Sequence, residues 1–141
     1  MTGIVIVSHS WKIAEGVRDL ALEMAADYDD KIIAAGGLDD ENKTIGTDAV
    51  KIMQAVIKAN QAADNGGVVI LADIGSGIMS AQTAIELLSE SDDDSEKNIN
   101  VKLADAPIVE GAVCAAVEAV GGGDLEAVLN AAESARGESK L

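Results

Sequence analysis

The run Gly67-Val68-Val69-Ile70-Leu71-Ala72, closed by Asp73, constrains the fold most strongly. It is apolar at successive positions, as a strand covered on both faces must be, and such strands are the central strands of parallel sheets. Parallel neighbours cannot be joined by tight turns, so each strand needs a crossover, usually a helix.

The rest of the chain supplies that alternation. Gly3 to Val7 reads as a first buried strand, and Ile13, Val17, Leu20, Ala21 and Met24 then recur at helical spacing. Lys31 to Ala35 gives a second strand, followed by a loop rich in glycine and acid from Gly36 to Gly46. A helix capped by Thr47 or Asp48 carries Ala49, Met53, Val56, Ile57 and Asn60 on one side and stops at Asn65-Gly66-Gly67. After the central strand, Ile78, Ala81, Gln82, Ile85 and Leu88 mark the next helix; an acidic loop then leads to a fourth strand near Asn100 to Ala104. Pro107 suits the first turn of a helix containing Val109, Ala112, Val113, Ala116, Val117 and Val120 that Gly121-Gly122-Gly123 stops, and Asp124 can cap a last amphipathic one through Leu125, Val128, Leu129 and Ala132. The expected architecture is an α/β fold: an open, doubly wound, mainly parallel sheet of order 2-1-3-4 with helices on both faces. One domain over residues 1–135 is expected, with 136–141 a frayed tail.

In that order the chain changes direction between strands one and three, and ligands bind such sheets in the crevice at that switch. The only histidine, His9, follows strand one, and Asp73 follows strand three. An aspartate bonded to one imidazole nitrogen fixes the tautomer and leaves the other nitrogen's lone pair as nucleophile or base. Gly75-Ser76-Gly77 opens a helix whose free N–H groups, with the Ser76 hydroxyl, favour anionic oxygens, and Gly46-Thr47 opens another. The set His9, Asp73, Gly75, Ser76 and Thr47 therefore suits a phosphoryl group carried on the imidazole. Taken singly, each has a plainer reading: Asp73 as a helix cap, the glycines as a tight turn, Thr47 as a helix start. Trp11 reads as a packed aromatic. With one histidine and one cysteine, Cys114, the chain offers neither a zinc site nor an intramolecular disulfide, and no nucleotide-binding Gly-x-x-x-x-Gly-Lys-Ser/Thr loop is present.

Three segments together, Gly3-Ile4-Val5-Ile6-Val7-Ser8-His9-Ser10, Asp73-Ile74-Gly75-Ser76 and Ala106-Pro107-Ile108-Val109-Glu110-Gly111-Ala112, carry a family likeness. The chain resembles, over nearly its whole length, the phosphotransfer subunits of phosphotransferase-dependent dihydroxyacetone kinases, which share the fold of mannose-class enzyme IIA components. The resemblance implies that His9 accepts a phosphoryl group from HPr and passes it to ADP held on the DhaL subunit, while DhaK binds the dihydroxyacetone. It implies a phosphohistidine intermediate without a bound cofactor or metal, Asp73 as the residue that orients the imidazole, and a homodimer. Because the sequence ends at Leu141 without HPr-like or enzyme-I-like extensions, a separate donor polypeptide is expected. Two other readings stay open. One is a mannose-class sugar-transport IIA component, whose aspartate loop typically continues Gly-Gly-Ser/Thr-Pro, absent from this chain. The other is a noncatalytic flavodoxin-like binding module in which His9 is incidental.

Charge narrows the partners. The formal charge of −15 repels nucleic-acid phosphates and anionic membranes. No apolar stretch approaches the ~20 residues of a membrane span, and no basic region precedes the first apolar run, so a soluble cytoplasmic protein is expected. Acidity spread along the chain, with few lysines, also fits work in high salt, where ions screen self-repulsion. The melting temperature is accordingly expected to rise between low and molar salt; a flat or falling one removes that reading.

Overall fold

The computed structural model describes residues 1–141. Its sheet has four parallel strands in the order β2-β1-β3-β4, with β1 at Gly3–Ser8, β2 at Ile32–Gly36, β3 at Val68–Ala72 and β4 at Val101–Leu103. The expected order is thus the observed one. β1 and β3 are buried along their whole length, as runs without polar alternation require.

The alternation of side chains across each strand builds two cores. Ile4, Ile6, Ile32, Val69 and Leu71 face one way, onto helices α1 (Trp11–Met24), α5 (Ile108–Val120) and α6 (Leu125–Ser134). Val5, Val7, Val68, Ile70 and Ala72 face the other way, onto α2 (Ala49–Ala62) and α3 (Ser76–Ser89). The Ser89 to Asn98 stretch, expected as a loop, contains one extra helical turn, α4 (Asp94–Lys97), capped by Asp93. Side-chain caps close the starts of α1, α2 and α6: Ser10 accepts from Ile13 N, Asp48 from Val50 N and Asp124 from Ala127 N, each worth about 1 kcal/mol.

The helix faces differ from their sequence pattern: Gln82, expected on the inner face of α3, is exposed, and α2 buries Ile52, Ala55 and Ala59 beside Val56 and Asn60 while Ala49, Met53 and Ile57 are half-buried. In α1, the buried residues are Ala14, Val17 and Ala21, whereas Ile13, Leu20 and Met24 remain about half exposed. Small side chains let α1 lie close to the sheet, and its larger ones form a second stripe beside the core face. At the other end of the chain, residues 135–137 form a 3₁₀ turn. Arg136 there pairs with Asp105, and Lys140 with Glu110.

Register is what carries the fold to the site. Val7 pairs with Ala72, and the ladder continues one step as Asp73 N donates to Val7 O at 3.1 Å. The residues just past the ends of β1 and β3 are therefore neighbours.

Candidate functional site

His9 is the first residue after β1 and lies immediately before Ser10, the cap of α1. Its backbone carbonyl accepts from Gly46 N at 2.9 Å, which ties the loop leading into α2 to the same point. α3 starts three residues beyond Asp73. Three helix starts thus converge on the carboxyl end of the sheet, and their unpaired N–H groups give it partial positive charge.

The imidazole is held at both nitrogens. Nδ1 lies 2.8 Å from Asp73 Oδ1, and Nε2 lies 2.6 Å from Ser76 Oγ. A carboxylate only accepts, so Nδ1 carries a proton; in the neutral ring Nε2 then holds the lone pair, to which the Ser76 hydroxyl donates. Asp73 Oδ2 accepts two more bonds, from His9 N at 3.0 Å and from Ser8 Oγ at 2.8 Å. Asp73 is therefore not a helix cap; the residue at the cap of α3 is Gly75, which makes no side-chain cap bond and takes a φ of +36° that favours glycine. The amide of Ser76, the first residue of α3, has no intrahelical acceptor and stays available.

His9, Asp73, Gly75 and Ser76 come together as the sequence places them. Thr47 does not join the ring: its Oγ1 shares a 2.6 Å hydrogen bond with Ser80 Oγ, linking the start of α2 to α3. Two residues, Ser8 and Gly77, have roles toward Asp73 that the sequence does not announce. Ser8 is fully buried at the end of an otherwise apolar strand, a polar residue in a core pattern that could have been noticed. Gly77 makes room, since a Cβ there would stand 2.6 Å from Asp73 Oδ1 and 3.6 Å from His9 Cε1; no local pattern marks that need.

The site is shallow. The His9 side chain retains 23% of its exposure and lines none of the surface clefts; a cleft of about 430 Å³ beside it is bounded by Asp73, Ile78, Gln82, Leu103 and Asp105. Large apolar side chains stand exposed on the nearby segments, Ile74 at 78%, Ile45 at 67% and Met79 at 66%. Trp11 is half-buried, with the Lys43 ammonium 4.4 Å from its ring centroid. Glu110 is turned to the Lys140 ammonium, whose hydrogen bond lowers its carboxyl below the usual range. No group of histidine, cysteine and acidic side chains is placed to hold a metal ion.

With this geometry in place, relatives bear on it directly. The family model EIIA-man, described as the PTS system fructose IIA component, matches residues 3–129. The chain is 42% identical over 135 residues to the phosphoryl donor subunit DhaM of the PEP-dependent dihydroxyacetone kinase of Providencia stuartii, covering 96% of this chain and 27% of that protein. It is 40% identical over 129 residues to the phosphoryl donor subunit DhaM of the PEP-dependent dihydroxyacetone kinase 2 of Listeria innocua, covering 92% of this chain and 94% of that one. The chain therefore spans about a quarter of the longer relative and nearly all of the shorter. A crystal structure of a protein of unknown function, 29% identical, superposes with a TM-score of 0.75 over 99% of this chain and 98% of its own. The chain belongs to the EIIA-man family, and the relatives it resembles there are named DhaM phosphoryl donor subunits.

Proposed function

We propose that the chain is the phosphoryl carrier of a PTS-dependent dihydroxyacetone kinase, taking phosphate from HPr on His9 and giving it to ADP on a DhaL subunit. The observation that carries this reading is the doubly held imidazole, with Nδ1 bonded to Asp73 and the Nε2 lone pair turned toward Ser76 and the start of α3. Relatives named as phosphoryl donor subunits support it.

The chemistry is an exchange of one bond for another. The Nε2 lone pair forms the N–P bond as the bond from phosphorus to the donor protein's imidazole breaks; the proton on Nδ1 stays, and Asp73 balances the charge that grows on the ring. As phosphorus arrives, the Ser76 hydroxyl gives up Nε2 and donates to a phosphoryl oxygen, joined by the free amides at Gly75 and Ser76. Thr47 acts at one remove, holding α2 against α3 through Ser80. In the second step a β-phosphate oxygen of ADP attacks, ATP forms, and Nε2 recovers its lone pair. Both transfers need the far side of phosphorus open and in line, which a shallow histidine provides. The resident group is the phosphohistidine itself, and no further cofactor enters either step.

The exposed Ile45, Ile74 and Met79 suit protein partners rather than a small enclosed substrate. DhaK, which holds the dihydroxyacetone, takes part only through the ATP that DhaL carries. Such an exchange takes place in the cytoplasm, and no helix of the chain is long and apolar enough to cross a membrane.

A homodimer is part of this reading. Ile13, Leu20 and Met24 on α1, with Val109, Val117 and Val120 on α5, stay one-third to one-half exposed on two helices that pack side by side. Large apolar side chains left exposed on neighbouring helices suit a second copy of the chain. Sedimentation should give twice the chain mass for the wild type and the single chain mass for Leu20→Glu; an unchanged dimer in Leu20→Glu places the interface elsewhere.

The transfer reading is tested by intact-protein mass spectrometry after incubation with phosphoenolpyruvate, enzyme I and HPr, followed by DhaL-ADP. Wild type should gain one acid-labile phosphate that DhaL-ADP removes, and His9→Ala should gain none. Phosphate that DhaL-ADP leaves in place indicates a sugar-transport IIB acceptor instead. No uptake from a cognate donor contradicts the carrier role.

A further inference from the structure

Ser8 is the only residue of β1 with a polar side chain, and it has no solvent exposure. A buried hydroxyl is costly unless its bonds are made, and both are. Its oxygen accepts the N–H of Ser10 at 3.0 Å, and its O–H donates to Asp73 Oδ2 at 2.8 Å. Because a carboxylate oxygen only accepts, the hydroxyl proton is what joins Ser8 to Asp73, while the Ser8 oxygen is left to take the Ser10 N–H.

From this we infer that Ser8 is a positioning residue of the site: its hydroxyl locks the Asp73 carboxylate so that the His9 ring keeps its proton on Nδ1 and its lone pair on Nε2. The inference rests on His9 as the phosphoryl carrier. The last torsion of an aspartate is broad, so the protein must supply the restraint. Asp73 Oδ2 is bound by the Ser8 hydroxyl and the His9 amide, which leaves Oδ1 to the ring. On the opposite side, the missing side chain of Gly77 gives Oδ1 the room it needs and nothing more, as a Cβ there would be 2.6 Å away. Without the Ser8 hydroxyl, the carboxylate keeps one donor on Oδ2 instead of two, and its last torsion is less restrained. The acceptor that decides which ring nitrogen is protonated is then held less firmly.

A plainer role for Ser8 would be to steady the turn into α1 through Ser10 N. The two roles separate in the tautomer of the unphosphorylated ring, read by long-range ¹H–¹⁵N NMR, and in a double-mutant cycle with Asp73→Asn on the rate of phosphorylation by phospho-HPr. Ser8→Ala should lower the Nδ1–H share and slow phosphorylation about tenfold to a hundredfold, the range in which outer partners of an oriented imidazole act. The double variant Ser8→Ala with Asp73→Asn should be no slower than Asp73→Asn alone, because Ser8 works through that carboxylate. Ser8→Thr, which keeps the hydroxyl, should retain the wild-type tautomer. A folded Ser8→Ala with wild-type tautomer and rate, or losses that multiply in the double variant, overturns the inference. Should Ser8→Ala fail to fold, Ser8→Thr decides: a folded Ser8→Thr without the tautomer preference overturns it as well. A tautomer that depends on Ser8 in a chain that accepts no phosphate upholds the positioning role while removing the carrier reading.

Discussion

The contact between Asp73 and His9 is made by strand register before it is made by chemistry. β1 and β3 pair so that Val7 lies opposite Ala72, and one further ladder bond brings Asp73 beside the residue that follows Ser8. That register is specified strongly, because a slip of one residue would exchange the two sets of apolar side chains between the two cores. Ile4 and Ile6 would then face α2, and Val5 and Val7 would face α1. The same burial that stabilises the sheet therefore fixes the position of the His9–Asp73 pair, and the loops need only supply helix starts around it.

What surrounds that pair suits an anion in transit. Helix starts and the Ser76 hydroxyl favour phosphate at His9, while a chain of net charge −15 opposes it from farther away. Local donors act within one turn of helix and are little screened, whereas the distant field weakens with salt. A carrier needs its phosphoryl group held without being trapped. Short-range stabilisation set against long-range repulsion meets that requirement, and a shallow His9 would leave the proposed phosphoryl group open to the next acceptor.

The legible part of this structure was the part written as pattern. Uninterrupted apolar runs separated by helix-period segments specify a parallel sheet, and the order 2-1-3-4 then puts His9 beside Asp73 without further information. Gly75 and Ser76 followed from their place at a helix start. Less legible were the features set by packing distance. Ile13, Leu20 and Met24 have helical spacing, yet Ala14 and Ala21 won the core face because small residues allow α1 to approach the sheet closely. Thr47 has the right location but spends its hydroxyl on Ser80, a partner 33 residues away that no local motif indicates. Gly77 is required by the space that Asp73 occupies, not by its own backbone angle. Ser8 was visible as a polar residue in an apolar strand, but its meaning depends on knowing which carboxylate lies opposite.

The central claim is that the fold itself chooses the reactive nitrogen by committing Nδ1 to Asp73. It is tested most directly by phosphorylating the chain labelled with ¹⁵N-histidine and measuring the one-bond coupling between ³¹P and the ring nitrogens of His9. The account predicts phosphorus on Nε2 and a proton retained on Nδ1. Phosphorus on Nδ1 would contradict it, since that product requires the Asp73 contact to be broken rather than used.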